Sequence, residues 1–186
     1  ALKGNFLQRA MNEADMERVV AEFVAAARLA RDAGFDAVEL HMGHGYLLNQ
    51  FISPLSNRRE DKYGGSAENR VRFPARVLAA VKQAVGDTTA VLAKINVADG
   101  TRRGAKVEDG IVTALALQAA GAHMLVLSGG RNVESTWFMF GSRMNREEII
   151  KVLKQQGDWL TALMMKGAAA SEPDITFKEM YFLEYS

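Results

Sequence analysis

Apolar residues return at helical spacing between positions 16 and 33, where Met16, Val19, Val20, Phe23, Val24, Ala27 and Ala30 form one stripe. This pattern predicts an amphipathic helix, with Asn12 placed to cap its start and Gly34 to stop it. The run Phe35-Asp36-Ala37-Val38-Glu39-Leu40 is too short for another helix and reads as a buried strand ending at His41. A second helix is expected from about Ala67 to Val85, opened by Ser66 as N-cap with Glu68 in its first turn and closed by Gly86. Pro74 is expected to kink or divide it. The second strand follows at Thr89–Ile95, then a third helix from about Val107 to Ala120, a stop at Gly121 and a third strand at His123–Leu127. Ser128-Gly129-Gly130 breaks that strand.

Helix, stopping glycine, strand and polar loop thus recur three times. Strands that alternate with helices pair in parallel through right-handed crossovers, so the class is α/β. Periodicity leaves both a (β/α)₈ barrel and a doubly wound sheet open. A closed barrel takes about 250 residues, so three strands would be an incomplete (β/α)₈ barrel. Beyond Arg143 the pattern weakens. Asn145-Arg146-Glu147-Glu148 resembles a capping box leading into Ile149, Ile150, Val152 and Leu153, Trp159 to Met165 reads as a short helix, and Tyr181 to Tyr185 as the start of another. No linker-like segment divides the chain, and residues 1–186 read as one domain.

Composition narrows the function classes. With 23 Lys and Arg against 22 Asp and Glu, the net charge of +1 offers no reason to expect a nucleic acid or a membrane surface as partner. The absence of cysteine excludes disulfides, thiolate zinc and iron–sulfur ligation within these residues. A cytoplasmic location is the default expectation. The N-terminal residues lack a signal-peptide core, and no stretch approaches the roughly 20 apolar residues of a spanning helix.

In parallel α/β proteins the ligand site surrounds the carboxyl ends of the strands. His41, Lys94 and Ser128 stand at those places. His41 and His44 are three apart, so one helical turn would set both imidazoles on one side, with Tyr46 at the next turn position. Two imidazoles can donate hydrogen bonds to one oxygen carrying developing negative charge, and a tyrosine can deliver a proton. A histidine pair can equally be structural or hold a divalent metal. No metal site is expected: no carboxylate lies at a suitable short spacing, and His123 begins its strand rather than ending it. Ser128-Gly129-Gly130 suits a tight turn or a close backbone approach to a ligand. Trp137, Phe138, Met139 and Phe140 are either a pocket wall or core.

The stretch Glu39-Leu40-His41-Met42-Gly43-His44-Gly45-Tyr46-Leu47-Leu48-Asn49-Gln50-Phe51-Ile52-Ser53-Pro54, continuing through Asn57-Arg58-Arg59, Asp61, Tyr63-Gly64-Gly65-Ser66 and Glu68-Asn69-Arg70, closely resembles the old yellow enzyme family. The similarity is strongest from about Ala14 to Gly130. It implies an FMN-containing (β/α)₈ barrel in which NAD(P)H reduces the flavin and the flavin reduces an activated C=C bond of a small electron-poor alkene. By that resemblance His41 and His44 bind the substrate's electron-withdrawing oxygen, Tyr46 protonates the α-carbon, and flavin N5 supplies hydride to the β-carbon. Lys94 stands where most members carry arginine, and would hold the flavin N1 and C2 carbonyl edge. Lysine supplies the charge without the planar fork. The charged loop with Arg58, Arg59, Asp61, Tyr63, Glu68 and Arg70 is expected to be structural, fixing the segment that presents His44 and Tyr46.

Two alternatives stand beside that reading. One is a 2,4-dienoyl-CoA reductase or demethylase-type branch of the same family. The other is a non-catalytic piece that binds no flavin by itself, because the resemblance places the FMN phosphate grip after the last two barrel strands and other flavin contacts on the first. An incomplete barrel leaves open sheet edges, so the isolated polypeptide is expected to bind FMN poorly and to be unstable or to associate, with a homo-oligomer possible.

Overall fold

The computed structural model describes residues 9–140, 146–155, 157–159 and 163. Three α/β units dominate it: α1 (Glu13–Asp32), β1 (Ala37–Met42), a short α2 (Leu47–Ile52), α3 (Ala67–Val85), β2 (Ala90–Asn96), α4 (Val107–Ala119) and β3 (Met124–Ser128). Helices α5 (Thr136–Phe140) and α6 (Arg146–Gln155) follow. No described helix is long and apolar enough to cross a membrane.

The caps explain where α1 and α3 begin. The Asn12 side chain accepts from the Asp15 N–H while the Asp15 carboxylate accepts from the Asn12 N–H, a reciprocal pair that satisfies two otherwise orphan donors. Ser66 does the same work on one side for α3, accepting from the Asn69 N–H. Gly34, Gly86 and Gly121 all have positive φ, consistent with their place just beyond a helix or at its cap. Pro74 does not divide α3, which runs unbroken from Ala67 to Val85. It removes one N–H from the ladder, and it is buried in the helix together with Phe73 and Val77.

Both β1–β2 and β2–β3 pair in parallel, in sequential order. Helices α1 and α3 pack on each other, as do α3 and α4, with α1 against β1 and both α3 and α4 against β2. One apolar cluster joins them, including Met16, Phe73, Leu78, Val91, Ile95 and Leu117. Sequential strand order with neighbouring helices on one face is the winding of a (β/α)₈ barrel; a doubly wound sheet reverses strand order and covers both faces. The described residues contribute three consecutive strands of such a barrel.

The strands alternate between two environments. Leu40 and Met42, Val91, Ala93 and Ile95, and Leu125 and Leu127 face the helices. Glu39 and His41, then Leu92, Lys94 and Asn96, then Met124, Val126 and Ser128, share the opposite face, which is the barrel interior. Strand β1 is therefore half-buried rather than buried throughout, and Phe35, outside it, is exposed. It also runs past His41 to Met42, because Met42 still pairs with Ile95 and fills the helix-side core. The helix read from Ile149 onward is present as α6. Its proposed Asn145 cap, the Tyr181 to Tyr185 segment and most of Trp159 to Met165 lie outside the described residues.

Candidate active site

His41 is the last interior-facing residue of β1, and in the parallel register it lies directly beside Lys94 of β2. Four residues then turn the chain into α2. The expected helical turn across His41–His44 is absent. Instead His44 has φ of +60°, a left-handed conformation that costs a non-glycine residue roughly 1–2 kcal/mol. Several contacts hold it there. The His44 N–H donates to Asn96 Oδ1 at 3.1 Å, its carbonyl accepts from the Asn132 N–H at 3.1 Å, and the Gly45 N–H donates to Asn49 Oδ1 at 2.9 Å. Gly43 has no room for a side chain, since a Cβ there would lie 2.7 Å from Asn96 Oδ1.

The result still brings the two imidazoles together, edge to face, with ring centroids 4.9 Å apart. The Tyr46 ring lies 4.8 Å from that of His41. Tyr46 is the N-cap residue of α2 and is about half exposed, and its hydroxyl has no hydrogen-bond partner among the described residues. The proton donor of the sequence reading is thus positioned beside the histidine pair with its O–H free.

Electrostatics favour uncharged imidazoles. Burial, helped by the positive charge of Lys94, lowers the pKa of His41, against a smaller opposing pull from Glu39. Burial pushes His44 down to about 4, with further lowering by His41 and Lys94. The Gly43 N–H points at His41 Nδ1 at 3.4 Å, a long contact that favours the tautomer with its proton on Nε2. His44 Nε2 meets Ser128 Oγ at 2.7 Å. Ser128 therefore does more than end a strand: it fixes the second imidazole from across the sheet.

Lys94 Nζ is 3.1 Å from Glu39 Oε1 on the neighbouring strand, both groups partly exposed on the interior face. His41, His44, Tyr46 and Lys94 consequently form one group. No cluster of three or more metal-ligating side chains occurs among the described residues. Of the apolar run after β3, Phe138 is buried and packs against the tight turn at Gly100, which places it in the packing of the loops. The side chains of Trp137 and Phe140 lie outside the described residues.

The charged loop after α2 ties elements together. Arg70 donates to the carbonyls of Ile52 and Gly65 and pairs with Asp109 at 2.6 Å, while Asn57 bridges the carbonyls of Phe51 and Tyr63. Asn49, Ser53, Asn96, Asp99 and Arg131 are buried polar residues that sequence reasoning did not single out as a set. One local signal was available for Asn96, which sits two residues after Lys94 and so on the same face of β2.

The sequence matches the model of the NADH:flavin oxidoreductase / NADH oxidase family over residues 2–178. The chain belongs to this family. It is 40% identical over 139 residues to a 4,4'-dithiodibutanoate disulfide reductase of Rhodococcus erythropolis, an alignment covering 74% of this chain and 34% of that protein. It is 42% identical over 120 residues to an NADPH dehydrogenase of a Geobacillus species, covering 64% and 35% respectively. Among solved structures, the old yellow enzyme homologue from Zymomonas mobilis superposes with a TM-score of 0.59 at 28% identity, over 77% of this chain and 41% of that one. Members of the NADH:flavin oxidoreductase family thus share the barrel winding seen here, and this chain spans between a third and about two-fifths of these three proteins.

Proposed function

We propose that the protein carrying this chain is an FMN-dependent oxidoreductase that uses NAD(P)H to reduce the activated C=C bond of small α,β-unsaturated carbonyl-type substrates. The observation that carries this reading is the convergence of His41, His44, Tyr46 and Lys94 on the interior face at the carboxyl ends of the strands. The family's description and the relatives' names, NADPH dehydrogenase and old yellow enzyme homologue among them, support the flavin and nicotinamide parts.

FMN, when bound and reduced by NAD(P)H, would be the source of hydride for the β-carbon of the alkene, with Lys94 holding its edge. The chain's own residues do the rest. His41 and His44 would bind the substrate oxygen as uncharged N–H donors, so that the oxygen is stabilised as negative charge develops on it without being protonated outright. Tyr46, its hydroxyl unengaged, would deliver the proton to the α-carbon from the His41 side. Lys94 would hold the pyrimidine edge of the flavin; its ammonium lies on the interior face, where it now pairs with Glu39 and would exchange that partner for the flavin's negative charge.

Residues 1–186 are then read as part of a single barrel domain. The face that carries the site is half-open, with Met124 52% exposed and Glu39 and Lys94 each about a third exposed, so the described residues would grip a flavin from one side only. Other strands of the barrel would complete the grip and cover the sheet edges.

Anaerobic stopped-flow spectroscopy on the full-length protein tests the reading. NAD(P)H should bleach the flavin absorbance and a simple cyclic enone should restore it. A reduced flavin that an aliphatic disulfide reoxidises and an enone does not would move the substrate class away from alkenes.

A further inference from the structure

The loops after all three strands meet at a buried carboxylate. Asp99 has no exposed surface, and among the described residues no lysine or arginine pairs with it. It is held by hydrogen bonds alone. Its Oδ2 accepts from Ser53 Oγ at 2.5 Å and from the Ala105 N–H at 2.8 Å, and its Oδ1 accepts from Asn96 Nδ2 at 3.1 Å. Ser53 Oγ itself accepts from the Leu55 N–H, which leaves its hydroxyl proton for Asp99. The backbone carbonyl of Asp99 accepts from Ser135 Oγ, which in turn accepts from the Arg131 N–H.

Asn96 reads this arrangement in one direction. Its Nδ2 donates to Asp99 Oδ1 and, at 2.8 Å, to the Gly130 carbonyl, so its Oδ1 is the atom left to face the His44 N–H. A carboxylate can only accept. We propose that Asp99 is a positioning residue that, together with the Gly130 carbonyl, orients and anchors the Asn96 amide and thereby holds His44 in the left-handed turn that sets its imidazole beside His41. The relay stands on its own geometry. Only its consequence for substrate binding rests on the function proposed above.

Two variants at Asp99 should rank in an order that size alone would reverse. In Asp99→Asn the Ala105 N–H requires an oxygen at the Oδ2 position, so the new NH₂ faces Asn96 Nδ2, donor against donor. Turning over would set Asn96 Oδ1 against the Gly130 carbonyl, so the Asn96 amide is instead pushed away as a whole, which weakens its bond to the His44 N–H. In Asp99→Ala one anchor of the Asn96 amide is lost but no donor opposes it, so the Gly130 carbonyl alone keeps its oxygen on His44, less firmly than in wild type. The isosteric change should therefore disturb His44 more than the truncation does.

Amide hydrogen exchange and the ¹⁵N–¹H correlation of His44, read in the flavin-loaded full-length protein, test this. Exchange at His44 is expected to be about tenfold faster in Asp99→Asn than in wild type, the scale of one lost neutral hydrogen bond, and closer to wild type in Asp99→Ala. Equal exchange in the two variants, or the reverse order, would overturn the proposal. Should Asp99→Asn fail to fold, Asn96→Ala removes the acceptor directly. Unchanged His44 exchange in that variant would likewise overturn it. Exchange that follows the expected order, with enone affinity unaltered, would uphold the relay and instead remove His44 from the substrate site.

Discussion

Lys94 lies directly beside His41 in the parallel ladder, and its ammonium reaches back to Glu39, two residues earlier on the histidine's own strand. The imidazole therefore sits between a cation that lowers its pKa and a carboxylate that raises it, with burial adding to the cation's side. Replacing Lys94 by Met should raise the His41 pKa, since the remaining charge, Glu39, favours imidazolium. An NMR titration of the imidazole carbons reads this directly. An unchanged or lower midpoint would mean that Lys94 does not act on His41 through its charge.

The depressed pKa of His44 has a consequence for acid stability. In the unfolded chain a histidine titrates near 6.5, and in the folded protein His44 is pushed down to about 4 by burial. Between those values the unfolded chain takes up a proton that the folded one refuses. Stability is therefore fully present above about 6.5 and is lost as the pH falls toward 4. His44→Asn, which tolerates positive φ, should flatten the decline of the thermal midpoint across that window. His41, shifted in the same direction, should leave part of the slope in place. A variant with the wild-type slope would contradict the assignment.

Arg70 is the mechanical link between the α2 end of the site and α4. It is almost fully buried, its guanidinium satisfies Ile52 and Gly65, and it pairs with Asp109, whose other oxygen accepts from the Lys106 N–H at the start of α4. Arg70→Leu leaves those acceptors without a partner. Breaking a buried pair from one side costs about 3–5 kcal/mol, and a loss of about 3 kcal/mol is expected by urea unfolding. A loss below about 0.5 kcal/mol, the scale of an ordinary surface change, would show that the loop is not held this way.

How far the sequence reaches depends on the range of the forces involved. Helices α1 and α3 and their caps are legible because apolar spacing and capping are local, settled within four residues. The barrel interior is legible as chemistry, through the family motif, yet the turn that builds it is not. His44 takes a positive φ because of an acceptor 52 residues away, Asn96, and Asp99 meets Ser53 across 46 residues. Helix α2, six residues long, is too short to leave a period. At Pro74 the local cost is real, yet α3 runs through it undivided, held by the elements packed around the helix.

Tyr46, beside His41, is proposed to deliver the proton that completes alkene reduction. Single-turnover reoxidation of the reduced flavin by a cyclic enone, compared between wild type and Tyr46→Phe, measures that step alone. Loss of a positioned general acid should slow it by about 10²–10⁴-fold, while reduction of the flavin by NAD(P)H stays within a few-fold. Equal reoxidation rates in the two proteins would contradict the account.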